Sequence, residues 1–308
     1  MIDFKLVLAI FIVAVPTSID NAMAQENRQT ARSPSISDYF RSIGVSANVS
    51  HTQFEGTLPG SEFEGRLTSA GGTLFAHWVT PDIKTGLSLH YEEAHVDTLF
   101  NQGEVDTNGF SVSPQLTVTP FKKKNVQLNF GGNFGFFDND AERANGTITG
   151  GFDSVRLIGT ASLTGSKSFA IKGGHSIFVD GGIEYRHLTF LEDAYQEAGG
   201  VFVPSLNISR DTISFGGRLG YSLYEPISDR TFVLYGLSRL GIDVAGSTSR
   251  PTTTLAAVED FEDTTLQLGG GVQVRFGQNF FTSFQGTTTL FRDDFNTFAL
   301  SGSLNYRF

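Results

Sequence analysis

Apolar and polar positions alternate with a period of two along most of this chain. The last stretch is the clearest: Phe298, Leu300, Gly302, Leu304, Tyr306 and Phe308 are separated by Ala299, Ser301, Ser303, Asn305 and Arg307. A period of two sends successive side chains to opposite faces of a β-strand, so one face is apolar and aromatic and the other small and polar. The pattern recurs in Ile213, Phe215, Gly217, Leu219 and Tyr221, and in Phe232, Leu234, Gly236, Leu240, Ile242 and Val244. It recurs again in Leu266, Leu268, Gly270, Val272, Val274 and Phe276, and earlier in Val126, Leu128, Phe130, Phe134 and Phe136. Twelve segments of strand character are predicted, near 41–53, 67–79, 84–96, 109–119, 125–137, 153–165, 175–190, 210–223, 231–245, 264–276, 279–291 and 296–308.

The connections carry a second signal. Those after odd-numbered segments, near 54–66, 97–108, 138–152, 191–209 and 246–263, read as long, acidic, glycine-rich loops, with 292–295 a short exception. Those after even-numbered segments, near 80–83, 120–124, 166–174, 224–230 and 277–278, are shorter. Outer-membrane barrels show this asymmetry, with short periplasmic turns and long extracellular loops. An apolar terminal strand ending on Phe308 would be an aggregation template in water. It is accounted for if its edge is sealed against the first strand and its apolar face meets lipid. The expected fold is all-β: a transmembrane antiparallel up-and-down β-barrel of twelve strands, over residues 39–308.

The beginning of the chain bears on location. Lys5 precedes an apolar run from Leu6 to Val15, and Ala22-Met23-Ala24 offers a small-x-small cleavage site. That is a secretory signal peptide over residues 1–24, since a membrane-spanning helix needs about twenty apolar residues. Residues 25–38 read as a flexible periplasmic lead or short plug. No cysteine is present, which removes lipoprotein attachment, a disulfide framework and thiolate chemistry. With 32 acids against 22 bases, the chain lacks the basic excess that nucleic-acid binding requires.

By alternation, Arg156, Glu184, Arg186, Arg218, Arg239, Asp243 and Arg275 are expected on the inward face, five arginines against two acids. Such a lumen either favours anions or is braced by ion pairs. Eight strands leave a barrel filled by side chains and sixteen leave a channel, so twelve settles neither. Trp78, Tyr91, Tyr185, Tyr221, Tyr306 and Phe308 read as interface anchors. The acids Asp138, Asp140 and Glu142, Glu259, Asp260, Glu262 and Asp263, and Asp293 and Asp294 match no defined metal loop. No metal or cofactor is expected. His187-Leu188-Thr189 pairs a base and a hydroxyl but lacks an identifiable orienting residue, and His95 with Asp97 fixes no geometry. The expectation is therefore a protein that is not an enzyme.

Beyond the alternation, Ser214–Tyr221, the aliphatic strand after it, the acidic stretch 246–263, Leu266–Phe276 and the ending Ser303-Leu304-Asn305-Tyr306-Arg307-Phe308 form a familiar set. Together they resemble the translocator domain of autotransporters. The resemblance implies a twelve-stranded barrel of the bacterial outer membrane, in contact with lipid and lipopolysaccharide. It implies insertion by the barrel-assembly machinery, which would read Leu304, Tyr306 and Phe308. The family's barrels follow a long passenger joined through a helix in the lumen. Here about fourteen residues, Gln25 to Asp38, separate the signal site from the first strand, so no passenger is expected. Two roles follow: a narrow pore or translocator-like channel, or a structural or adhesive surface protein acting through acidic loops with a plugged lumen.

Overall fold

The computed structural model describes residues 40–58, 61–79, 82–98, 103–120, 125–143, 147–200, 202–249, 264–290 and 295–307. The strands are β1 (Phe40–Leu58), β2 (Ser61–Val79), β3 (Ile83–Thr98), β4 (Gly103–Val118), β5 (Val126–Arg143), β6 (Ile148–Ala170) and β7 (His175–Glu192). They continue as β8 (Tyr195–Gln196), β9 (Phe202–Val203), β10 (Leu206–Glu225), β11 (Arg230–Ser249), β12 (Thr264–Phe276), β13 (Phe280–Leu290) and β14 (Phe295–Arg307). All but β8 and β9 form one closed antiparallel barrel of twelve strands, and β8 and β9 pair as a separate small hairpin. The seam between β1 and β14 runs in register from Ser42 opposite Arg307 to Phe54 opposite Phe295. Closure satisfies the backbone of the terminal strand on both sides, which a wall in lipid requires. The signal segment 1–24, the lead 25–38, Lys122–Lys124, the acids at 259–263 and 293–294, and Phe308 lie outside the described residues.

The barrel strands are unequal in length, from 11 residues in β13 to 23 in β6. At about 3.3 Å per residue and a tilt near 40°, the shortest strand rises roughly 28 Å, enough for an apolar band ~25 Å tall. The longest rises roughly twice as far and stands well clear of it. One end of the barrel carries only the short connections, such as 171–174, 226–229 and 277–279; it is called the turn end here and the opposite one the hairpin end.

Around the turn-end half, Leu87, Leu89, Phe130, Phe134, Val179, Ile183, Phe215, Leu219, Leu234, Leu268, Val272, Phe284 and Leu304 are exposed on the outer face. An apolar belt of this extent is stable only against lipid. Trp78, Tyr185, Tyr221 and Tyr306 are exposed on the same face. The inward positions of this half are small and polar, and some pair across strands, as Ser283 does with Ser303 at 2.7 Å. Some glycines let an inward ring lie flat on the wall. A Cβ on Gly44 would come within 2.5 Å of the Phe75 ring, and one on Gly220 within 2.3 Å of the Phe178 ring.

The long connections expected at 54–66, 97–108, 138–152 and 191–209 are largely strand instead, because β1 through β7 and β10 continue through them. The 246–263 stretch likewise begins as strand, to Ser249, with 250–263 outside the described residues. Beyond the lipid band a hairpin keeps its backbone paired whatever its outward side chains. Polar composition there marks a change of solvent and not the end of the ladder. On β4 to β6 the acidic residues sit on that ladder's outer face, where Glu104 opposes Glu142, Asp106 opposes Asp140 and Asp138 opposes Asp153.

Candidate functional site

The lumen is organised in levels that can be followed along β6, β7 and β10. From the turn end upward, the paired inward positions on β7 and β10 are Asp180 with Arg218, Gly182 with Gly216, Glu184 with Ser214, and Arg186 with Thr212. Above these come Leu188 with Arg210, Phe190 with Ile208, and Glu192 with Leu206. Wholly polar levels thus give way, between Arg186 and Leu188, to levels that mix apolar side chains with buried charges.

The lower levels enclose a cavity of about 200 Å³. Its walls include Asn125, Gln127, Ser162, Thr164, Asp180, Glu184, Ser214, Arg218, Arg239 and Gln267. Asn125 immediately precedes β5, so the cavity extends to the turn-end rim. Glycines at 165, 181, 182, 216 and 217 line it and supply its space. Two ion pairs span its wall. Arg218 donates from Nε and Nη2 to Asp180, at 3.0 and 2.7 Å to Oδ2. Arg239 donates to Glu184 and, at 3.3 Å, to Ser214 Oγ.

Above the cavity the charges are deeply buried. Arg156 is 1% exposed, and its Nη2 donates to Glu92 Oε2 at 2.9 Å while its guanidinium lies 4.6 Å from the Phe137 ring centroid. His90 Nε2 stands 3.6 Å from the same Glu92 carboxylate. Arg210 and Asp243 form a second buried pair. A buried charge is tolerated only with such partners, because the Coulomb gain must offset desolvation.

Toward the hairpin end, the inward positions of β2 to β7 and β10 are packed with hydrocarbon. Leu67, Val96, Val105, Phe137, Ile158, Leu188, Phe190, Leu206 and Ile208 are all 5% exposed or less, and all occupy inward positions. Tyr195 of the small hairpin stacks on Phe152 with centroids 4.8 Å apart and rings 18° from parallel. Fully burying an aliphatic or aromatic side chain is worth about 1.5–3 kcal/mol, so this layer is a folding core built inside a barrel.

The seven charged residues expected on the inward face, Arg156, Glu184, Arg186, Arg218, Arg239, Asp243 and Arg275, all take inward positions on their strands. Sequence reasoning missed Glu92, Asp180, Arg210 and the apolar layer. Asp180 was readable, since it shares the parity of Glu184 and Arg186 on one strand. Glu92 lies in a segment without clean alternation, and Arg210 stands at the edge of its predicted strand. With Glu92, Asp180 and Arg210 added, the lumenal ion pairs among the described residues include Arg156–Glu92, Arg210–Asp243, Arg218–Asp180 and Arg239–Glu184. Glu192, which takes the inward position after Phe190 on β7, is a further buried acid.

Two hydrogen-bonded rows on the outer face involve the histidines singled out in the sequence. Asp211 supplies the acid that the His187-Leu188-Thr189 motif lacked: His187 Nδ1 meets Asp211 Oδ1 at 2.7 Å, and Nε2 meets Thr189 Oγ1 at 3.1 Å. Tyr185 donates to the same Asp211 oxygen at 2.6 Å. This row lies on the outer face of the wall, whereas the cavity lies on the inner face of the same strands. Near the hairpin end, His95 joins Asp106 at 2.6 Å through Nδ1 and Asp97 at 3.2 Å through Nε2. The hydrogen bond to Asp106 raises the pKa of His95, aided by the charges of Asp106 and Asp97 and opposed by partial burial. Among the described residues no three of His, Asp and Glu are grouped to hold a metal ion. Of the residues expected to signal assembly, Leu304 and Tyr306 are exposed on the outer face beside the seam, opposite Val45 and Ile43.

Residues 45–287 match the family model described as the autotransporter beta-domain. No functionally curated protein matches the sequence. Among solved structures, the barrel is similar to the translocator domain of the autotransporter NalP from Neisseria meningitidis, at 17% identity, with a TM-score of 0.65 over 87% of this chain and 88% of that one. It is similar to the transport unit of AIDA-I from Escherichia coli at 8% identity, with a TM-score of 0.68 over 86% and 90% of the two chains. The beta domain of the Bordetella autotransporter BrkA gives 14% identity and a TM-score of 0.63 over 86% and 98%.

Proposed function

The chain belongs to the autotransporter β-domain family of outer-membrane barrels, and on that premise we propose a translocator-like barrel that its own side chains hold shut at the extracellular end. The apolar layer around Phe137, Phe190, Leu206 and Ile208 carries this reading. Water and ions crossing the lumen would have to pass through packed hydrocarbon. With the turn end periplasmic, as in barrels of this kind, the cavity is a periplasmic vestibule with a closed far wall. The long hairpins above the lipid band then act as the outward-facing surface, with acids on β3 to β6 turned to solvent. A structural or adhesive role at the cell surface fits this arrangement better than free diffusion of solutes.

A channel reading keeps one support, the vestibule itself, whose polar walls and ion pairs suit a translocator that opens only when engaged. Single-channel recording on the refolded chain in a planar bilayer separates the two. The closed reading expects no sustained ohmic steps from the wild type and frequent steps from Phe137→Ala/Phe190→Ala. Stable wild-type conductance would overturn it and establish the pore.

A further inference from the structure

Among the described residues, Arg186 is a lumenal guanidinium that takes part in none of the ion pairs Arg156–Glu92, Arg210–Asp243, Arg218–Asp180 and Arg239–Glu184. It faces inward on β7, level with Thr160 of β6 and Thr212 of β10. Its Nε and Nη2 are enclosed by protein and make no hydrogen bond among the described residues. Nearby stand two further guanidiniums, Arg156 and Arg239, and one carboxylate, Glu184. That carboxylate is already engaged by Arg239, and Arg156 is held by Glu92. Three positive groups thus share two acids, and the deficit falls on the one without a partner.

The position makes this costly. Leu188 and Phe190, the next inward residues on β7, are 3% and 1% exposed, and the charges level with them, Arg210 and Arg156, are already held by Asp243 and Glu92. Below lies the cavity, whose walls include Glu184, Ser162 and Ser214, each one inward step beneath Arg186, Thr160 and Thr212 on its own strand. A guanidinium with unsatisfied donors beside an apolar layer carries a large desolvation penalty. Water supplies hydrogen bonds but no counter-charge. Thr212 does not help, because its hydroxyl donates to Asp243 at 2.8 Å.

We propose that the inner end of the vestibule is an oxyanion site, in which Arg186 receives a phosphate or carboxylate group entering from the periplasmic side. The planar fork of a guanidinium matches two oxygens of either group, and the neighbouring Arg239 adds field without giving up Glu184. Ser162 and Ser214 line the approach and offer hydroxyl donors. The site does not rest on the closed-lumen reading, since a vestibule fills whether or not the far wall opens.

The test is calorimetric titration of the refolded chain in zwitterionic detergent, in low-chloride buffer, with inorganic phosphate in one arm and acetate in the other. The expected result is saturable binding to the wild type in at least one arm, weakened at least tenfold in Arg186→Gln. Arg186→Lys, which keeps the charge and loses the fork, should fall between them. Lys167→Gln, an exposed outward residue, should match the wild type. If Arg186→Gln does not fold, the wild-type titrations and Arg186→Lys still decide. Phosphate binding with silent acetate assigns a phosphate site, and the reverse assigns a carboxylate site. No saturable binding in either arm, or equal binding by folded Arg186→Gln, overturns the proposal and leaves Arg186 hydrated only. Conductance does not enter the readout, so this outcome is separable from that of the closed-lumen test.

Discussion

The two halves of this barrel share the same strands and obey opposite rules. On β5, Phe130, Phe134 and Phe136 face outward and are exposed, whereas Phe137 and Ala141 face inward and are buried. The pleat does not change between Phe136 and Phe137; the solvent outside the wall does. At the level of lipid the outward set must be apolar, and the lumen takes serine, threonine, asparagine and ion pairs. Above the lipid band, water takes the outward set, and the apolar side chains turn inward and pack on one another. A strand serving both solvents therefore shifts its hydrophobic phase by one residue partway along.

The largest expected effect comes from hollowing the inward layer of the upper half. Phe190→Ala removes a ring that is 1% exposed, and should cost about 3–5 kcal/mol in urea unfolding from lipid vesicles. A cost below 1 kcal/mol would mean that the upper half is not a packed core. Breaking the charge pair at the boundary comes next. Glu92→Gln leaves Arg156 buried without its carboxylate, at roughly 3 kcal/mol. Adding Arg156→Met should recover most of that loss, because the cost belongs to the stranded charge.

The same chemistry placed on the two outer faces sharpens the contrast. Leu268→Arg puts a charge into the lipid-facing belt and should cost roughly 2–4 kcal/mol if it lies near the midplane. Inward Gln267→Arg should cost much less, as should Asn108→Arg on the outer face of β4, beside Asp138 and opposite Glu93. Asn108 stands in water among acids, so its change should stay within about 0.5 kcal/mol. Equal penalties at Leu268 and Asn108 would erase the boundary between the halves.

What could be read from the sequence follows the same boundary. The lower half was legible because apolar-out alternation in Phe298–Tyr306, Leu266–Phe276 and Ile213–Tyr221 is a direct imprint of lipid. The strand count, order and closure follow from it. The upper half was read as loops, since Glu104, Asp106, Asp138, Asp140 and Glu142 carry no imprint of a membrane. Their inward neighbours Val105, Phe137 and Ala141 do alternate with them, but in the opposite phase, and only the wall's three-dimensional course reveals that phase as a core. The inward parity of the arginines was equally legible. Their partners were not, because Glu92 reaches Arg156 across 64 residues of chain and Asp180 reaches Arg218 across 38. Pairing at such range is set by barrel geometry and leaves no local pattern.

The smallest effect tests the outer face of the upper half through its titrating group. His95 bridges Asp106 on the neighbouring strand and Asp97 on its own, and its pKa is raised, chiefly by the hydrogen bond to Asp106. A raised folded-state pKa means that the folded protein binds the proton more tightly than the unfolded chain, in which histidine titrates near 6.5. The stabilisation is therefore complete below about pH 6.5 and is lost as pH rises through the higher folded value. His95 and Asp97 are about 44% and 43% exposed and Asp106 is 66% exposed, so solvent screening holds the effect to a few tenths of a kcal/mol. Hydrogen exchange of the β3–β4 amides above Tyr91 should report it, with protection falling between pH 6 and pH 9 beyond the intrinsic rate change. His95→Gln should abolish the excess. A wild-type profile identical to that of the variant would mean that the bridge does not tie the strands, leaving the inward packing of Val96 and Val105 to hold the hairpin end together alone.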